Sequence, residues 1–181
     1  MIQVSFSYTR QFLILLTLST MVFQACQTEH ADLLLPDAAE LQEALAMSNI
    51  SLIGMEEEII DDFVERFGHT MQETGSGLRY KILEPGVGSK AGYGQQVQVK
   101  YTMYLITGDP VYSSDESGHL TFTVGRGGVE GGLEEGIRFL NKGARAIFIL
   151  PSHLAHGVPG DGLHIPKRAT IIYELELTDL Y

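Results

Sequence analysis

Val97-Gln98-Val99-Lys100-Tyr101-Thr102-Met103-Tyr104-Leu105 places an apolar or aromatic side chain at every second position, with Gln98, Lys100 and Thr102 between them. That is the period of a strand with one face buried and the other wet. The same pattern extends outward in both directions. Upstream, Leu78, Tyr80 and Ile82 alternate with Arg79 and Lys81 until Pro85-Gly86 turns the chain. Downstream, Gly108-Asp109-Pro110 makes a turn and Leu120-Thr121-Phe122-Thr123-Val124 alternates again. Residues 144–150 and 169–177 read as further strands. One stretch between them changes period. Residues 132–140 put Leu133, Ile137 and Leu140 on one helical face, with Lys142-Gly143 after them to end a short helix. Strands with a single helix predict an α+β fold on an antiparallel sheet. The segment 151–166, rich in Gly, His and Pro, predicts a long loop, and loops of that length in compact domains usually carry function.

Composition agrees with a folded domain plus an appendage: 181 residues, 44% hydrophobic and 19% charged. Twelve basic against 23 acidic residues give a net charge of −11, which opposes nucleic-acid binding. One cysteine excludes an intramolecular disulfide and a thiolate-rich zinc site.

The N-terminus reads as an address. After Arg10 comes an apolar run over residues 12–23, too short to cross about 30 Å of hydrocarbon at about 1.5 Å per residue. A basic residue, a short apolar core and a small residue make a secretory signal pattern, here over 1–25. Phe23-Gln24-Ala25-Cys26 resembles a bacterial lipobox, in which Cys26 becomes the lipidated first residue of the mature chain. Acyl chains there would hold the protein on a bacterial membrane, expected to be the outer one, on its periplasmic or surface face, without a spanning helix.

Residues 26–74 read as an acidic helical segment and linker. Ala38 to Ala46 forms helix well, Gly54 is expected to interrupt it, and a second helix is expected over 55–67. Glu56, Glu57 and Glu58 would then occupy that helix's first turn, and Gly68 would stop it. Ile59, Ile60, Phe63, Val64 and Phe67 share a stripe that suits either a dimer face or packing onto the following domain. Asp61 and Asp62 are expected on the solvated side, and Thr74-Gly75-Ser76-Gly77 as a flexible joint to a domain over 75–181.

Within that domain, Val99-Lys100-Tyr101-Thr102, Ser113-Ser114, Leu120-Thr121-Phe122-Thr123-Val124-Gly125 and Gly132-Leu133-Glu134-Glu135-Gly136-Ile137 stand in a telling order. Lys142-Gly143, Pro151-Ser152, Ala155-His156-Gly157, Ile165-Pro166 and Glu174-Leu175-Glu176-Leu177 continue the series. The set resembles the FKBP-type peptidyl-prolyl isomerases. Val111-Tyr112-Ser113-Ser114 and Phe148-Ile149-Leu150-Pro151-Ser152 are similar, more narrowly, to a gliding-motility-associated lipoprotein branch of that family. The resemblance implies a half-cone antiparallel sheet wrapped around one short helix, here preceded by a short helical N-terminal segment. It also implies proline-containing clients outside the cytoplasm.

Rotation about an X–Pro bond faces a barrier of about 20 kcal/mol but breaks no covalent bond, so it needs no nucleophile, metal or cofactor. An apolar cavity that strips water from the prolyl amide disfavours its charge-separated form and eases twisting. Carried over by position, the resemblance implies a catalytic set of Tyr101, Tyr112, His156 and Tyr173. It implies a substrate-binding ring of Val111, Leu120, Phe122, Val129, Glu130, Leu133 and Ile165, with the Glu130 N–H bonding a substrate carbonyl. Tyr112 stands where the family's best catalysts have Asp, and Leu133 where they have Trp. With Val111 and Leu120 also standing where the family has Phe, these departures imply a wider, less aromatic cavity, weaker turnover and weaker affinity for macrolides. They leave open a module that binds proline segments without turning them over, or a lipoprotein whose acidic helices make the contacts.

Other patterns are weaker. His153, His156, His164 and Asp161 could suggest a metal, but Ala155 and Gly157 beside them read as a loop hinge. Glu134 and Glu135 are adjacent on a helix and point apart, which disfavours a carboxylate acid–base pair. Gly86-Val87-Gly88-Ser89-Lys90-Ala91 leads into no helix and reads as a turn, not a dinucleotide loop.

Overall fold

The computed structural model describes residues 37–68 and 70–181. The expected leader over 1–25 and Cys26 therefore lie outside the described residues. The chain divides into two units, Met1–Leu45 and Ala46–Tyr181. The first helix, α1 (Ala38–Arg66), runs through that boundary. After it come β1 (Gln72–Glu73), β2 (Arg79–Glu84), β3 (Val87–Lys90), β4 (Gln96–Leu105) and β5 (Pro110–Ser113). A four-residue helix α2 (Ser114–Ser117), β6 (Leu120–Thr123), α3 (Gly131–Ile137), β7 (Asn141–Lys142) and β8 (Arg145–Leu150) follow. A 3-10 turn (Ser152–Leu154) opens the long loop, and β9 (Ile171–Leu180) closes the chain.

The main sheet runs β1-β2-β8-β9-β4-β5, with β6 also on β4, and its pairs are antiparallel. β3 and β7 form a separate ribbon. The decisive strand β4 carries two partners on one edge: β6 along Gln96 to Val99 and β5 along Thr102 to Tyr104. Along the other edge it pairs with β9 from Val97↔Leu180 to Leu105↔Ile171. Its alternation survives folding, because Val97, Val99 and Met103 turn inward and are buried.

Register lines up two rows of side chains on opposite faces. Tyr80, Phe148, Tyr173, Met103 and Tyr112 are successive partners across β2, β8, β9, β4 and β5. They belong to or pack on the larger core with Leu133, Ile137 and Leu140. One residue along, Arg79, Ile149, Ile172 and Tyr104 are partners on the other face. There Ile147, Ile149 and Ile172 pack with Ile60, Phe63 and Val64 of α1. β8 is thus covered on both sides, which is why Ala146 to Leu150 is an unbroken apolar run. α3 approaches β8 through its glycines. A Cβ on Gly136 would strike the Phe148 ring, and one on Gly132 would lie 2.6 Å from Leu150 Cγ.

Several expectations change. α1 is continuous through Gly54, since one glycine costs about 1 kcal/mol and a long helix absorbs it. Glu56 to Glu58 therefore lie mid-helix, not in a first turn. Gly68, at φ 62°, follows the helix end as expected. The stripe splits: Ile60, Phe63 and Val64 pack on the sheet, while Ile59 and Phe67 stay exposed. Asp61 is not merely solvated; it meets the buried guanidinium of Arg79 at 2.9 Å. Residues 74–77 close the β1–β2 hairpin, with the Thr74 N–H donating to the Leu78 carbonyl at 2.9 Å. The short strands β3, β5 and β7 carry no alternation long enough to announce them, and α3 ends at Ile137, with Leu140 in the turn behind it.

Candidate active site

A cavity of about 520 Å³ opens on the larger-core face, at the β4 end of the first row. Its floor is Tyr173 of β9, Met103 of β4 and Tyr112 of β5, neighbours by register. Tyr101 of β4 and Leu120 of β6 line it beside them. Gly128, Val129 and Glu130, at the N-cap position of α3, line it as well. Ala155 and His156 reach in from the long loop. The Tyr101 and Tyr173 rings are 5.7 Å apart and tilted by 59°. The Tyr101 backbone is braced by α2: its N–H donates to Ser114 Oγ, which in turn donates to the Tyr101 carbonyl, both at 3.1 Å.

Five of the ten lining residues carry polar side-chain groups, and most of these are engaged. The Tyr112 hydroxyl donates to Asp161 Oδ2. Desolvation pushes the Asp161 carboxyl up, but the Tyr112 hydroxyl and the N–H groups of Leu163, Ile165 and His164 outweigh it and hold the acid well below its usual range. The Tyr112 phenol is raised in turn by that hydrogen bond. Burial, and then the Glu130 carboxylate beside it, keep the Tyr173 phenol protonated far above its usual value. His156 Nε2 lies 2.9 Å from Glu130 Oε1 but off hydrogen-bond geometry, so this buried ring nitrogen has no hydrogen-bond partner.

Of the eleven side chains the resemblance implied, Tyr101, Tyr112, Leu120, Val129, Glu130, His156 and Tyr173 come together around the cavity. Phe122, Leu133 and Ile165 do not line it; they are buried in the core. Val111 packs against that core beside Tyr112 and does not line it either. Met103, Gly128 and Ala155 were missed. Met103 was legible, because it lies two residues from Tyr101 on the same strand face.

The rejected patterns resolve into structure. His153 Nε2 lies 2.9 Å from the Ser76 carbonyl oxygen, His164 meets Tyr112 edge-on, and His156 faces Glu130. Among the described residues, no three His, Cys, Asp or Glu side chains gather as a metal site. Glu134 accepts the Gly125 and Gly127 N–H groups at 2.6 and 3.2 Å, and Glu135 accepts the Ser76 hydroxyl at 2.7 Å.

Comparison with known proteins gives this geometry a context. The chain is 37% identical over 106 residues to an FK506-binding protein of Neisseria meningitidis, covering 58% of this chain and 97% of that one. It is 34% identical over 103 residues to outer membrane protein MIP of Legionella longbeachae, covering 56% of this chain and 43% of that one. The crystal structure of FkpA from Escherichia coli superposes with a TM-score of 0.59 at 26% identity, covering 80% of this chain and 73% of that one. The family model for FKBP-type peptidyl-prolyl cis-trans isomerase matches residues 88–178, which include every side chain of the cavity, and the chain belongs to that family of isomerases.

Proposed function

We propose that the cavity takes the proline of an X–Pro segment over the Tyr173–Met103–Tyr112 floor and lowers the barrier to its rotation. The observation that carries this is the floor itself: register sets two aromatic rings and a thioether side by side in a cavity that Tyr101, Leu120 and Val129 also line. Such a surface strips water from the prolyl ring and its amide. The Glu130 N–H, at the start of α3, is the donor for a substrate carbonyl. Tyr112 takes little part in proton chemistry, because its hydroxyl is committed to Asp161.

We place the protein outside the cytoplasm, lipid-anchored through Cys26 to a bacterial membrane, as a folding helper. The lipobox-like Phe23-Gln24-Ala25-Cys26 supports this, as does a relative named for the outer membrane. The similarity around Val111-Tyr112-Ser113-Ser114 makes surface or gliding machinery the proposed client.

Exchange NMR on short X–Pro peptides with the full chain tests the first proposal. Exchange much faster than the uncatalysed time of tens to hundreds of seconds, lost with Tyr101→Ala, supports it. Peptide-induced shifts without faster exchange would leave a binding module. For the anchor, labelled palmitate should enter the wild type and not Cys26→Ser; incorporation into neither would sink it.

A further inference from the structure

The long loop leaves β8 at Leu150 and returns to β9 at Ile171, the last pair of that ladder. One step beyond, a side chain from a different element bridges the two chains. Glu56 of α1 accepts the Ser152 N–H at 2.6 Å and the Thr170 hydroxyl at 2.6 Å on Oε1, and the Ser152 hydroxyl at 2.8 Å on Oε2. Ser152 and Thr170 are 8% and 4% exposed, so water does not readily replace the carboxylate. Charge-assisted bonds to buried donors are the strong kind.

We propose that Glu56 is a positioning residue for isomerisation: by tying both ends of the loop it sets where Ala155 and His156 stand in the cavity. The proposal rests on the cavity being the isomerisation site. Its path is short. The Ser152 carbonyl accepts the N–H groups of Ala155 at 3.1 Å and Gly157 at 2.8 Å, the two neighbours of His156. The Gly157 carbonyl accepts the Arg168 N–H at 3.0 Å, which closes the loop on itself two residues before Thr170. Arg168 holds a left-handed backbone at φ 55°, and its guanidinium donates at 3.0 Å to Asn49 of the same helix. α1 thus grips the loop at Ser152, Arg168 and Thr170. With Glu56 shortened, the Ser152 N–H and the Thr170 hydroxyl must find water, and the turn carrying His156 shifts outward.

The experiment uses the full chain and an X–Pro peptide, read by exchange NMR and by ¹H–¹⁵N shifts, with urea unfolding alongside. Glu56→Ala should lower kcat/KM about tenfold, mainly through KM. The Ala155, His156 and Gly157 amides should move and those of β4 should not. Glu56→Gln keeps an acceptor oxygen and should recover most of the loss. Should Glu56→Ala fail to fold, Thr170→Val removes one donor at the loop's far end and should lower kcat/KM about threefold. A kcat/KM in Glu56→Ala within twofold of wild type, or a loss that matches the unfolded fraction, overturns the role of Glu56 while wild-type peptide shifts still map to Tyr101, Val129 and Tyr173. Peptide shifts in the wild type that avoid those residues overturn the cavity and this role together.

Discussion

The hydroxyl of Tyr112 donates to Oδ2 of Asp161, 49 residues away, while Oδ1 of the same carboxylate accepts the N–H groups of Leu163, His164 and Ile165 at 2.9, 3.0 and 2.7 Å. One carboxylate therefore folds the tip of the long loop and fastens it to β5 at the cavity floor. Position 112 serves as an anchor. With Glu56 at the loop's base, the segment that carries His156 is held at both ends.

Tyr112→Phe removes one of the four donors that hold the Asp161 carboxyl down. Its titration, followed by carboxyl ¹³C shift, should move up toward the ordinary value of about 3.9. The Leu163 to Ile165 amides should exchange faster with solvent. An unmoved titration would mean that the backbone donors alone hold the charge.

Asp161 also predicts a pH dependence of definite sign. A carboxyl whose pKa is depressed in the folded state adds stability that is complete above the unfolded value and is lost as pH falls through the folded one. Wild type and Asp161→Asn should therefore differ by a constant amount from about pH 5 upward, and the gap should close below about pH 4. Urea midpoints across that range check it; a gap that widens in acid would refute the sign.

Tyr173 is 1% exposed and sits in both core and cavity floor. Tyr173→Ala should cost about 3–5 kcal/mol of stability and abolish peptide exchange. Burial and the neighbouring Glu130 charge hold its phenol protonated. In a spectrophotometric titration it should stay silent while exposed tyrosines ionise near about pH 10. Tyr173→Phe should remove nothing from that ordinary transition.

Arg79 is a buried cation ringed by Asp61, Glu57 and Glu73 at 2.9, 3.4 and 3.8 Å. Replacing the cation and stripping its anions should differ. Arg79→Met fits an apolar environment and should cost about 1 kcal/mol or less. Glu57→Gln with Asp61→Asn leaves only Glu73, at 3.8 Å, to offset the buried charge and should cost about 3 kcal/mol. Chemical denaturation of both variants decides; equal costs would show that Arg79 matters through its packing.

The same glycine-to-alanine change should have opposite signs at two helical sites. A methyl group on Gly54 would meet nothing within 4 Å, so Gly54→Ala should stabilise by about 0.5–1 kcal/mol. At Gly136 the methyl would enter the Phe148 ring, so Gly136→Ala should destabilise by about 1–3 kcal/mol despite better helix propensity. Thermal melts of the two variants test the pair.

Much of this was legible residue by residue. Period-two alternation from Val97 to Leu105 is a local property, and it survived because one face of β4 meets the core. The helical face Leu133, Ile137 and Leu140 was legible for the same reason, and all three are fully buried. Arg79 misled, because alternation assigns it to solvent unless something covers that face, and α1 does. Leu133 and Ile165 misled in the other direction. An apolar side chain suits a cavity wall and a closed core equally well, and only packing separates them.

The sequence by itself determined strands β2, β4, β6, β8 and β9, the short helix, the acidic balance and the ordered motifs of the isomerase family, because each follows from spacing or composition within a short stretch. Tertiary structure alone decided that Tyr173, Met103 and Tyr112 form one floor, and that Glu56 ties the two ends of one loop while Asp161 fastens its tip. Those facts depend on strand register and on partners far apart in the chain. Hydrogen bonds and contacts of that range exist only once the backbone has closed, so no local pattern can encode them.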